Sequence, residues 1–218
     1  MKKIMRKSGL TFVIVAAVAA FAAAQELKDI ALPKPKMDGG VPLMQALKGR
    51  KSARSFSAKN LPMQVVSNLL WAAMGINRPD GKKTAPSAVN WQEISIYAVF
   101  EDGAYSYDAK SNSLKAILKG DIRKASGRQT FVGTAPLNLV FVADYSKMGT
   151  RSGEDKDFYS AADTGFVSQN VYLYCASEGL ATVVRGSIDR DALAKALKLS
   201  KDVKVILAQT VGYPEETD

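Results

Sequence analysis

The segment Arg50-Lys51-Ser52-Ala53-Arg54 puts three cations and a hydroxyl side by side, directly after a helical stretch that ends at Gly49. Arg50, Ser52 and Arg54 alternate, so an extended backbone points all three the same way. Guanidinium forks match phosphate oxygens in paired hydrogen bonds, serine adds another donor, and Lys51 adds charge. The cluster reads as an anion site; a solvated basic loop is the alternative. A second cluster holds Thr84, Pro86, Ser87, Asn90 and Gln92. Asn90 and Gln92 each offer a donor and an acceptor, which suits the mixed edge of a flat heteroaromatic ring. The alternative is a tight loop whose side chains satisfy one another. The third cluster, Arg185-Gly186-Ser187, follows an apolar run. Gly186 lets the backbone approach a ligand closely. Arg185 beside it is either a ligand-facing cation or an ordinary surface arginine.

Two absences narrow the chemistry. The 218 residues contain no histidine and one cysteine, Cys175. Ser-His-Asp catalysis, Cys-His catalysis and histidine-based metal sites are excluded. So are an intrachain disulfide and any CxxC motif. Redox chemistry on this chain requires a bound cofactor to carry the electrons.

The elements that must position these residues can be read in order. A short helix is expected from Pro42 to about Lys48, with proline in the first turn and Gly49 past the end. A second helix is expected from Pro62 to Met74, because Val65, Val66, Leu69, Leu70 and Ala73 recur at helical spacing. Strands are expected at Ile94–Phe100, Ala104–Asp108, Leu114–Leu118 and Leu137–Ala143. Tyr159–Glu178 reads as a long helix, apolar nearly all the way round and so buried in a core or an interface. A strand at Leu180–Val184, a helix capped by Asp189 and a strand at Val203–Val211 complete the chain. Strands and helices mix without strict alternation, which predicts an α+β fold.

Residues 1–24 stand apart. A basic start, an apolar run of about 15 residues and a small-residue end are expected of a secretory signal peptide. Export to the periplasm or outside is then expected, with no stable membrane insertion after cleavage. Residues 25–40 read as an extended lead-in, and 41–218 as one domain. Without residues 1–24 the net charge is +5. That is too mild for a nucleic-acid binder, which leaves a small-molecule substrate as the expected partner.

Together the three clusters resemble the nitroreductase family. Arg50-x-Ser52-x-Arg54 is similar to that family's first flavin motif, and Pro86-Ser87-Ala88-x-Asn90-x-Gln92 to its second. Asp163–Gly186 resembles its central helix and following strand, and Gly212-Tyr213-Pro214 its closing tripeptide. Leu69–Ala73 and Gly75–Arg78 look closest to the azoline-dehydrogenase branch. The resemblance implies a mixed, mainly antiparallel sheet surrounded by helices, in a homodimer with FMN at the interface. It implies that Arg50, Lys51, Ser52, Arg54, Pro86, Ser87, Asn90, Gln92, Arg185 and Gly186 bind the cofactor, with the Gly186 backbone near flavin N5. The Arg50 and Arg54 guanidinium groups and the Asn90 amide are thus expected to converge on one planar ring. The implied activity is two-electron transfer between a donor and a small organic, nitroaromatic or quinone-like substrate. The alternative is an exported flavin-binding protein without turnover.

The chain departs from the family in places. The resemblance implies NAD(P)H as reductant, whereas export argues for another donor. Acidic Glu215-Glu216-Thr217-Asp218 stands where basic residues usually help hold the phosphate. Lys156 and Tyr159 are candidates for the lysine-tyrosine pair of azoline dehydrogenases.

Overall fold

The computed structural model describes residues 26–215. The expected signal peptide lies outside them. Four α-helices pack on a seven-stranded sheet with strand order β1-β4-β3-β2-β5-β7-β6. The strands are β1 Ile30–Ala31, β2 Ile94–Val99, β3 Gly103–Asp108, β4 Ser113–Lys119, β5 Leu137–Asp144, β6 Ala181–Arg185 and β7 Val203–Gly212. Each neighbouring pair is antiparallel. The fold is α+β, as expected.

The helices are α1 Leu43–Gly49, α2 Met63–Met74, α3 Gly153–Ser177 and α4 Arg190–Ala196. Prolines 42 and 62 occupy the capping positions before α1 and α2, where a missing N–H costs nothing. The α2 face Val66, Leu69, Leu70 and Ala73 packs with Val167, Val171 and Cys175 of α3 against Ile96, Leu139 and Phe141 of the sheet. The other sheet face is covered by α4, whose Leu193 packs on Val140, Val142 and Val205. Burying one such aliphatic side chain contributes about 1.5–3 kcal/mol, so these two layers fix the sheet between the helices.

The long helix differs from expectation at both levels. It begins at Gly153, six residues before Tyr159, because Ser152 accepts the Asp155 N–H and Glu154 and Asp155 favour the first turn. It is also not buried all round. Ser160, Asp163, Thr164, Val167, Ser168, Val171, Tyr172 and Cys175 form one buried stripe, while Phe158 and Phe166 are 68% and 48% exposed. The lead-in contributes β1, paired with β4 through Ile30 and Leu114. That two-residue strand was too short to show any period.

Candidate functional site

The arginine strip is extended, as its alternation requires. Arg50 leaves α1 with φ −60° and ψ 119°. Ala53 N–H donates to Thr182 O at 2.9 Å, and Ser57 N–H donates to Tyr213 O at 3.0 Å. The strip therefore runs beside β6, the edge strand of the sheet, and past the end of β7. Arg50 and Ser52 meet at one residue of α3: the Arg50 guanidinium lies 5.2 Å from the Tyr172 ring centre, and Ser52 Oγ lies 2.8 Å from the Tyr172 hydroxyl. Tyr172 also accepts the Val184 N–H at 3.0 Å. Lys51 lines a cavity of about 250 Å³ with Gly49, Ala53, Tyr172, Thr182 and Pro214. Arg54 is exposed. Among the described residues no carboxylate lies within ion-pair distance of Arg50, Lys51 or Arg54. An anion arriving here would meet cations that no described carboxylate pairs with.

The second cluster forms a strained turn. Val89, Asn90 and Gln92 have φ of 41°, 60° and 49°, and Val89 is 75% exposed. Each such residue costs of order 1–3 kcal/mol and persists only where its surroundings hold it. The surroundings are specific. Ser87 Oγ accepts the Gln92 N–H at 2.9 Å, and Ser87 O accepts the Asn90 N–H at 3.0 Å. Asp163 of α3 accepts the Ala88 N–H at 2.9 Å, and Lys147 Nζ donates to Gln92 O at 3.1 Å. Trp91 stands edge-on to Tyr159, ring centres 5.6 Å apart. Gln92 Nε2 donates to Asn90 Oδ1 at 3.2 Å, so the two amides are held together at the surface. Pro86 is exposed on the approach.

Gly186 is exposed at the end of β6, where an added Cβ would meet nothing closer than Leu207 Cδ2 at 3.7 Å. Its neighbour corrects the sequence reading. Arg185 is only 4% exposed, and its guanidinium is used internally. It donates to Thr210 Oγ1 at 3.1 Å, Ser126 O at 2.6 Å and Asn138 Oδ1 at 3.0 Å. Burial lowers it to about 10, so it stays charged at neutral pH. An alternating strand turns adjacent side chains to opposite faces, and Arg185 takes the inward one. Neither a ligand-facing nor a surface arginine describes it.

A single chain does not bring the arginine strip and the Asn90 turn together. The strip sits at Tyr172 and the turn at Asp163, nine residues apart on α3, which is roughly 13 Å of helix. The convergence expected from sequence is absent within one copy. Lys156 and Tyr159 also do not pair; Tyr159 packs on Trp91 and Phe158 instead. Sequence reasoning missed Tyr172, Asp163 and Glu93. Tyr172 and Asp163 were visible only as two of several polar positions on the helix, beside Ser160, Thr164 and Ser168.

The model of the Nitroreductase family matches residues 47–213, a span that holds both motifs, Tyr172 and the end of β6. A Methanocaldococcus jannaschii protein bearing the nitroreductase name is 31% identical over 172 residues, which is 74% of this chain and 86% of that one. The chain belongs to the nitroreductase family. This nitroreductase-family chain is accordingly an oxidoreductase with the family's FMN dependence. A crystal structure from Ralstonia eutropha JMP134, also of a protein named a nitroreductase, is 41% identical and superposes with a TM-score of 0.84, covering 90% of this chain and 94% of that one. The NAD(P)H-linked FMN reductase of Bacillus subtilis is 21% identical over 188 residues, 80% of this chain and 66% of that protein.

The nitroreductase-family site can be tested against FMN on its own atoms. The cations Arg50, Lys51 and Arg54, which no described carboxylate pairs with, suit a phosphate and an electron-rich ring edge. The paired Asn90 and Gln92 amides suit a pyrimidine edge. Gly186 leaves the end of β6 open to close approach. These residues fit the cofactor.

Proposed function

We propose that this chain works as a homodimeric, FMN-dependent oxidoreductase on a small organic substrate. FMN, when bound, supplies hydride transfer at N5 to or from a substrate such as a nitroaromatic or quinone-like compound. Arg50 and Ser52 hold its phosphate and ribityl end. Arg54 places a fixed positive charge near the ring edge that gains electron density on reduction, which stabilises the reduced form. Asn90 and Gln92 hold the pyrimidine edge, and the Gly186 backbone orients the reacting face.

The separation of the two motifs along α3 supports the homodimer. A second copy can place its Asn90 turn against the first copy's arginine strip. The exposed Leu43, Met44 and Leu47 of α1, with Phe158 and Phe166 of α3, supply apolar surface for that contact. The Leu69–Ala73 and Gly75–Arg78 phrases support the azoline-dehydrogenase branch. The basic and apolar residues 1–24 support export, and an exported enzyme takes its electrons from a donor other than NAD(P)H.

One observation carries the reading: three neighbouring cations, without carboxylate partners among the described residues, stand beside a buried tyrosine and an open strand end. The test is to purify the protein, reconstitute it with FMN and look for flavin absorbance that dithionite bleaches. A protein that stays colourless sinks the proposal. Flavin that binds but that no acceptor reoxidises favours a binding protein without turnover.

A further inference from the structure

Glu93 follows Gln92 directly and immediately precedes β2. It is completely buried, and neither carboxyl oxygen has a hydrogen-bond partner among the described residues. Asp163 of α3, 2% exposed, lies close enough for the two carboxyl groups to share a proton. Asp163 already accepts the Ala88 N–H at the start of the strained turn. Glu93 is anchored at the turn's end, where its carbonyl accepts the Asp144 N–H at 3.0 Å. The Asp163 carboxylate thus holds the start of the segment that contains Val89, Asn90 and Gln92, and the Glu93 backbone holds its end, with the Glu93 carboxyl buried beside Asp163.

The other charged groups facing Glu93 are Lys147, from the turn Tyr145–Met148, and Lys83, from the loop before the motif. Neither lies within ion-pair distance, and Lys147 is engaged by Gln92 O. A carboxylate without hydrogen bonds in such a place is unfavourable, so the satisfied state is one proton between two acids.

We infer that Glu93 is a positioning residue: with a proton shared between it and Asp163 it fixes the Asn90 turn, and on ionisation it loosens that turn. The released proton passes to solvent, and the two carboxylates then repel across a buried gap. Burial first, and the neighbouring Asp163 second, push the Glu93 carboxyl up to about 7. The consequence for flavin rests on the proposed function above.

Trp91 reports the turn directly, since it stands edge-on to Tyr159 and lies 5.8 Å beneath the Arg151 guanidinium. Trp71→Phe leaves it as the sole tryptophan. Its emission is followed in flavin-free protein from about pH 5.5 to 8.5. The expected result is a transition centred near 7, absent in Glu93→Gln, which keeps the acid-side spectrum throughout. In Asp163→Asn the transition moves to lower pH, because the like charge is gone. No transition in the parent, the same transition in Glu93→Gln, or an unmoved midpoint in Asp163→Asn each overturns the inference. The FMN dissociation constant over the same range separates the two readings. It is expected to rise several-fold on the alkaline side and to stay level in Glu93→Gln. A fluorescence transition with a level FMN affinity keeps the positioning role and removes the turn from the flavin site.

Discussion

Tyr172 holds Ser52 through a 2.8 Å contact between their hydroxyl groups while accepting the Val184 N–H at 3.0 Å. One side chain of α3 thus joins the arginine strip to the edge strand. With Val184 donating to it, Tyr172 keeps its own proton available to give to Ser52, although its oxygen could equally accept from Ser52. The first arrangement leaves the Ser52 O–H for an anion.

Tyr172→Phe should break this relay. The Val184 N–H loses its acceptor and Ser52 loses its orienting partner. The expected cost is about 1–2 kcal/mol of stability. FMN should bind several-fold more weakly. Thermal unfolding and a flavin titration on the same preparation check both effects.

Arg54→Ala should weaken FMN binding and make the bound flavin harder to reduce. A charge-assisted hydrogen bond contributes about 1.5–3 kcal/mol, which corresponds to roughly ten- to hundredfold in affinity. Redox titration gives the midpoint potential. If potential and affinity both stay at the parent values, Arg54 has no part in the cofactor site.

Arg185→Met should behave in the opposite way. It leaves Thr210 Oγ1 and the Ser126 carbonyl without their donor and takes one of two from Asn138 Oδ1, which keeps Thr210, for a loss of about 2–4 kcal/mol. The flavin affinity of the folded fraction should not change. Arg185→Lys should not rescue stability, because one ammonium cannot reproduce the planar fork. Gly127→Ala should be damaging for the same reason, since its Cβ would overlap the Arg185 guanidinium.

Stability should fall as pH rises from about 4.5 to about 7, then level off. The folded Glu93 value lies above its ordinary 4.5. Within that window the folded state holds a proton that the unfolded chain has lost, so raising the pH favours unfolding. Asp29, Asp80, Asp108 and Asp121 are shifted the other way, below 3.8, and so contribute no slope there. Urea midpoints across the window should show the decline in the parent and lose it in Glu93→Gln.

Sedimentation should show a dimer, and Leu43→Glu combined with Met44→Glu should shift it to monomer. Both side chains are well exposed on α1, at 62% and 75%, so the charges cost the single copy little. Flavin binding should fail with the dimer. A monomer that keeps full flavin occupancy contradicts a shared site.

Most of the fold was legible because its signals are local. The α2 period, the apolar run of β5 and the Asp189 cap each carry their own instruction. Helix ends were less legible: the start of α3 depends on the Ser152 side chain, which lies in an otherwise polar stretch. The arginine strip and the Asn90 turn were visible as motifs. Their partners were not, because the expected helix shows which residues it contains but not which of them, here Tyr172 and Asp163, packing brings against each motif. Arg185 was misread for a related reason. A residue after an apolar strand can face either way, and the three acceptors that claim it come from distant segments of the chain.

The left-handed backbone at Val89 also sets a trap for engineering. Glycine would relax a β-branched residue at φ 41°, so a search for thermal tolerance should find Val89→Gly early. The same change would slacken the surface that presents Asn90 and Gln92. In this protein hardiness and catalytic competence should trade against each other at one exposed valine.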